Sequence, residues 1–172
     1  MAIIPDEKDW TWVLERPCIE CGFRAGKATP ATVATTIPAL LPRWVSALRR
    51  AGAEERSNPD AWSILEYGAH VRDVFEVFCA RLELMLREDN PTFDNWDQDK
   101  AALDGNYASL DPEEVASELV ANGMDAAAAF GAVDPELWDR RGLRSNGSEF
   151  TVVTLAGYFL HDVVHHLHDV NA

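Results

Sequence analysis

The sequence predicts an all-α protein, a four-helix bundle with an irregular N-terminal arm. Three observations carry this expectation. Apolar residues recur at helical spacing in four long stretches, no apolar–polar alternation is long enough for a sheet, and one long crossover separates the stretches while the other connections are short. Residues 1–31 are assigned to the arm and 32–172 to a single bundle domain. At 172 residues with 47% hydrophobic content, the chain can bury one substantial core.

The arm holds Trp10 and Trp12, which are expected to pin it to the main body, and the pair Cys18/Cys21 in RPCIECGF. A structural zinc site wants four ligands, and no second CxxC or CxxH follows. A redox pair would need a βαβ context, which is absent. The two thiols are therefore expected to form a packed turn, bent by Pro17 and Gly22, that is dispensable for metal binding.

The first helix is expected over Thr32–Ala51, with Val33, Ile37, Leu40, Leu41, Trp44, Val45 and Leu48 as its stripe, and with a kink or an irregular first half from Pro38 and Pro42. Asp60 is expected to cap a second helix over Ala61–Arg87, facing inward through Trp62, Leu65, Ala69, Val74, Phe78, Leu82 and Met85. Gly68 inside it suggests close packing or a nearby ligand, and Cys79 an inert core thiol. Residues 88–110 read as a crossover loop with a short helical piece near Gln98–Leu103. Asp111-Pro112-Glu113-Glu114 is a strong helix start, and the third helix runs through Val115, Leu119 and Met124 to about Gly131. RRGLRSNGSEF reads as a polar loop leading to the last helix, Thr151–Val170.

That last helix, TVVTLAGYFLHDVVHHLHDV, holds four of the five histidines. His161 and His165 lie one turn apart on one face, about 40° from each other, as two ligands for a divalent transition metal would. His168 falls at the fraying end. His166 points about 140° away from His161 and is expected in solvent. The fifth histidine, His70, lies mid-helix in WSILEYGAHVRDVF. If the second and last helices are neighbours, His70 can join His161 and His165 in a three-imidazole site with an open fourth position. Zinc, nickel or iron would fit it, and the metal would acidify a bound water or thiol or polarise a substrate oxygen. Glu66, Asp73, Asp162 and Asp169 are candidate partners for the outer imidazole nitrogens, Asp162 being the weakest by helical phase.

Other chemistries are excluded more easily. There is no GxSxG between strand and helix, no glycine-rich phosphate loop, and no ExxH pair of the di-iron kind. The net charge of −14 opposes binding to nucleic acid or anionic membranes. MAIIPDEKDW lacks the regions of a signal peptide, and three cysteines make no disulfide framework, so a cytoplasmic setting is expected.

The mid-helix histidine of WSILEYGAHVRDVF followed by a terminal HDVVHH resembles the DinB/YfiT-like superfamily of metalloenzymes, nearest to relatives of mycothiol-dependent maleylpyruvate isomerases and thiol S-transferases. The resemblance spans about Thr32 to Ala172. It implies an up-down-down-up bundle, a metal (zinc or nickel) held by His70, His161 and His165, and a low-molecular-weight thiol such as mycothiol as co-substrate. It leaves Cys18 and Cys21 outside and carries no substrate over. Two functions follow as expectations: a metal-dependent enzyme transferring a thiol to, isomerising or hydrolysing a small electrophile, or a non-catalytic bundle acting through a partner or homodimer surface.

Overall fold

The computed structural model describes residues 9–172; the first part of the arm, MAIIPDEK, with most of the stretch read for a targeting signal, lies outside the described residues. Five α-helices are present among them: α1 (Pro30–Leu48), α2 (Ile64–Arg87), α3 (Gln98–Asp104), α4 (Pro112–Gly131) and α5 (Val152–Asp169). The long four form a bundle in which α1 packs on α4, α4 on α2, α2 on α5 and α5 back on α1. Side-chain pairs give the directions. Arg50 at the end of α1 reaches Val170 and Asn171 beyond the end of α5, so these two run the same way. Arg49 meets Glu113 at the start of α4, which therefore runs opposite to α1. Arg72 and Glu118, then Glu76 and Asn122, pair in step along α2 and α4, which run together. His70 meets Asp162 whereas Phe78 stacks on Phe159, so α2 and α5 are antiparallel. The core between them is built on Trp44, Phe75, Phe130 and Phe159, all essentially inaccessible.

Several local expectations are corrected. The first half of α1 is regular helix rather than irregular, running on through both prolines and starting with Pro30 as its first residue under a Thr29–Thr32 capping box. The cap of α2 is Ser63, not Asp60: its side chain accepts from the Glu66 amide while the Glu66 carboxylate accepts from the Ser63 amide. Met124 of α4 is 50% exposed, because α4 turns its core stripe through Leu119, Gly123 and Ala126. Gly68 answers to close packing: a Cβ there would lie 2.7 Å from Leu48 Cδ2.

The largest departure is a small sheet. Strands β1 (Thr92–Phe93), β2 (Arg141–Arg144) and β3 (Glu149–Thr151) lie in that order, β1 parallel to β2 and β2 antiparallel to β3. RRGLRSNGSEF is thus a hairpin, turned at Asn146-Gly147 with Gly147 at φ +97°, a dipeptide suited to such turns. Its strands are too short to show alternation. Pairing with β1 ties the crossover loop to the segment entering α5, and so fixes where Trp96 falls.

The arm folds as two 3₁₀ turns, Trp10–Leu14 and Ala25–Lys27, laid on α5 around a small apolar cluster of Val13, Cys18 and Ala25. Gly157 of α5 allows this, since a Cβ there would sit 2.4 Å from the Ala25 carbonyl oxygen.

Candidate metal centre

The segment HDVVHH carries two i, i+4 pairs in register one residue apart: His161/His165 and Asp162/His166. On α5 they occupy adjacent faces, about 100° apart. The fold gives each pair different company. His161 and His165 face the arm, where their ring nitrogens and the sulfurs of Cys18 and Cys21 all lie within 4.8 Å of one another. Asp162 and His166 face α2, where they form an equally tight group with His70.

The set His70, His161 and His165 is therefore not what the structure gathers. His70 meets its helical partner on the neighbouring face of α5. The physical reason is the angle at which α2 and α5 face each other, about one residue away from the phase of the HxxxH pair. His166, expected in solvent, has a side chain only 16% exposed, and its ring lies 4.8 Å from that of His70. Asp162, the weakest candidate by phase, points its Oδ1 to within 3.4 Å of His70 Nε2 and 3.6 Å of His166 Nε2. His168 is exposed at the end of α5.

Glu66 and Asp73 are not partners of His70. The Glu66 carboxylate is engaged by Nε and Nη2 of Arg56 and by the Ser63 amide, and lies below the usual carboxylate range because these contacts outweigh its burial. Asp73 accepts from Arg72 and from the Tyr107 hydroxyl. The orienting carboxylate is instead Asp169, whose Oδ2 lies 2.8 Å from His166 Nδ1.

His70 is wholly buried, boxed by Trp62 at 5.2 Å and by Trp96, which stacks nearly parallel at 5.3 Å between ring centroids. Neither His70 nitrogen has a hydrogen bond, nor has Asp162 Oδ1; the close approach of the last to His70 Nε2 is not aligned for one. Burial pushes His70 below the ordinary imidazole value, against the pull of Asp162. Burial would push Asp162 up, but His70, His166 and His161 outweigh it and hold it at about 2. The centre thus offers a neutral His70 imidazole beside an ionised Asp162, the protonation state a cation needs of both, with the His166 ring as its third member.

A cleft of about 260 Å³ opens on it, walled by Trp10, Trp62, Tyr67, Gln98, Asp99 and Tyr158 together with the α5 histidines. Gln98 and Asp99 come from α3, so part of the crossover loop covers the site, and Trp96 of the same loop stacks on His70. Tyr107 does not, being buried against α2. A larger, apolar cavity of about 470 Å³ lies beyond Trp96, between α2 and residues 93–104, but no histidine lines it. The candidate metal-binding side chains Asp162 and His166 line the smaller one.

A sequence profile of the DinB superfamily matches residues 28–170. The chain belongs to the DinB superfamily. Among solved structures, it is similar to YfiT from Bacillus subtilis, described as a probable metal-dependent hydrolase with an unusual four-helix bundle topology. The TM-score is 0.69 over 99% of this chain and 92% of that one, at 16% identity, a likeness that speaks for the fold. No curated protein matches the sequence. For this DinB-superfamily chain, the profile starts at residue 28, after both arm cysteines. Sequence reasoning missed His166 and Asp162 as a pair; the signal was the second i, i+4 spacing inside HDVVHH. No helix among the described residues is long and apolar enough to cross a membrane.

Proposed function

We propose that this protein is a divalent-metal enzyme that activates a small nucleophile, water or a low-molecular-weight thiol such as mycothiol, against a small electrophile. The observation that carries the proposal is the donor set itself. Nε2 of His70, Oδ1 of Asp162 and Nε2 of His166 converge from two helices beside a cleft, and the first two are buried with no hydrogen-bond partner. The separations of 3.4 and 3.6 Å are close to the edge of about 3.3 Å expected between nitrogen and oxygen ligands of tetrahedral zinc. Zinc or nickel suits two imidazoles and a carboxylate. Such an ion would supply Lewis acidity and make a bound water or thiol acidic near neutral pH.

The chain's own residues do the rest. Asp169 holds His166 by its Nδ1 and so turns Nε2 toward Asp162. Trp62 and Trp96 keep water from His70, which fixes that imidazole neutral. The donor set carries one negative charge and the wall adds Glu20, Asp99 and Asp169, so the cleft suits a neutral electrophile better than a polyanionic one. No protein serine or cysteine lines the cleft, which leaves the nucleophile to be brought in.

The test is turnover of a panel of small esters, amides and epoxides by metal-loaded and chelated protein, with and without physiological thiols. Metal-dependent turnover abolished in His70→Ala and His166→Ala is expected; thiol consumption assigns transfer, and turnover without thiol assigns hydrolysis. Full metal occupancy in His70→Ala would overturn the proposal.

A further inference from the structure

Cys18, Cys21, His161 and His165 are left unexplained by the centre just described. From the sequence alone the two thiols lack partners, because nothing near them completes a ligand set. The fold supplies the missing half from α5, more than 130 residues along the chain. The four donor atoms come within 4.8 Å of one another, and Cys18 Sγ lies 3.6 Å from His165 Nδ1. With zinc–sulfur bonds of about 2.3 Å and zinc–nitrogen bonds of about 2.0–2.1 Å, a tetrahedral site has a sulfur–nitrogen edge of about 3.6 Å.

The surroundings are built to hold such a set. The Cys18 amide donates to the Phe23 carbonyl and the Gly22 amide to the Cys18 carbonyl, closing a tight turn that turns both sulfurs to α5. Gly22, at φ +74°, occupies the left-handed region that this turn requires. Cys18 and His161 are 2% and 4% exposed, and His161 Nε2 has no hydrogen-bond partner despite its burial. His165 already has its outer nitrogen, Nε2, turned to carboxylates, 3.4 Å from Glu20 and 3.7 Å from Asp169. That leaves Nδ1 for a ligand. The Trp10 ring, 4.9 and 5.7 Å from the two imidazoles, covers them on the solvent side.

We infer that Cys18, Cys21, His161 and His165 form a second metal site, a closed Cys₂His₂ zinc site that clips the arm to α5. Two thiolates balance the charge of the ion, so the cluster is neutral and can be buried. Four protein ligands leave no open position, which makes the site structural, in contrast to the open three-donor centre on the next face of the same helix. The two sites share Asp169, which faces His165 from one oxygen and His166 from the other. HDVVHH is thus a double ligand motif, with each face of α5 serving one ion.

Metal content and the cobalt spectrum of the full chain test this. Protein purified without chelator should hold two metal equivalents, and Cys18→Ser/Cys21→Ser should hold one, with the helical circular dichroism retained. Cobalt-loaded native protein should show thiolate-to-cobalt charge-transfer absorption in the near ultraviolet. That absorption should survive His70→Ala and disappear in His161→Ala, and it requires no cysteine variant to fold. Absence of the absorption in folded, cobalt-loaded native protein overturns the site. So does a Cys18–Cys21 disulfide in protein prepared under reducing conditions, or a cysteine double variant that keeps both equivalents.

Discussion

His166 Nδ1 lies 2.8 Å from Asp169 Oδ2, one turn further along α5. Asp169 is held below its ordinary value: burial opposes this, but His166 and His165 outweigh it, so the carboxylate is ionised and can only accept. The imidazole therefore donates from Nδ1, which turns Nε2 toward Asp162 Oδ1, 3.6 Å away.

Asp169→Asn is expected to loosen the hold on the His166 ring and weaken metal binding by about 10- to 100-fold, the usual effect of losing an orienting carboxylate. His166→Ala should cost more, and His168→Ala, at an exposed position, nothing measurable. Competition with a chromophoric chelator gives the affinities; equal losses for Asp169→Asn and His168→Ala would refute the orienting role.

Arg56→Ala should destabilise the fold without touching metal. It strands the Glu66 carboxylate, which is 3% exposed, at the start of α2, a loss of about 3 kcal/mol. In a domain of this size that lowers Tm by about 6–12 °C. Because Glu66 titrates below its ordinary 4.5 in the fold, its contribution is present above that pH and lost as pH falls through the folded value. The Tm difference between native and Arg56→Ala protein should therefore shrink in acid, and calorimetry between pH 7 and 3 would show whether it does.

Gly157→Ala should lift the arm rather than unfold the bundle. The added Cβ meets backbone at Ala25, which cannot give way as a flexible side chain can, and overpacking of this kind costs about 1–3 kcal/mol. Limited proteolysis should cut within residues 9–28 first, while α1 through α5 remain protected. Unchanged protection of the arm would mean that its docking does not depend on this contact.

The chelated protein should lose stability as pH falls from about 6.5. Burial, then the neighbouring His165, push His161 down from 6.5 to about 4, so the unfolded chain binds more protons over that interval. Stability is retained above pH 6.5 and falls toward pH 4, by about 3 kcal/mol from this group at 1.36 kcal/mol per unit. Denaturant titrations of chelated native and His161→Ala protein at pH 7 and 4.5 measure it; a pH response unchanged by the substitution would remove His161 as its source.

Much of this protein could be read from its sequence because the signals were local. The stripes of α1, α2 and α5, the Asp111-Pro112 start of α4 and the short helix after Trp96 depend on residues within a few turns of one another. His70 and HDVVHH marked the candidate metal-binding region for the same reason: i, i+4 spacing is a property of one helix. The three-stranded sheet stayed hidden, since strands of two to four residues carry no period and β1 pairs with a segment about 50 residues away. The choice of ligands was also beyond the sequence. Helical spacing shows that His161 aligns with His165 and Asp162 with His166, but not which face meets α2 and which meets the arm. That choice follows from how α5 is rotated in the bundle, and a rotation of about 100°, one residue, exchanges the two sets. Tertiary packing sets that rotation through Phe159 against Phe75, Phe78 and Phe130 and through the close approach of Gly157 to Ala25. It places His70 with Asp162 and His166, and gives the arm cysteines the two histidines their own neighbourhood lacks.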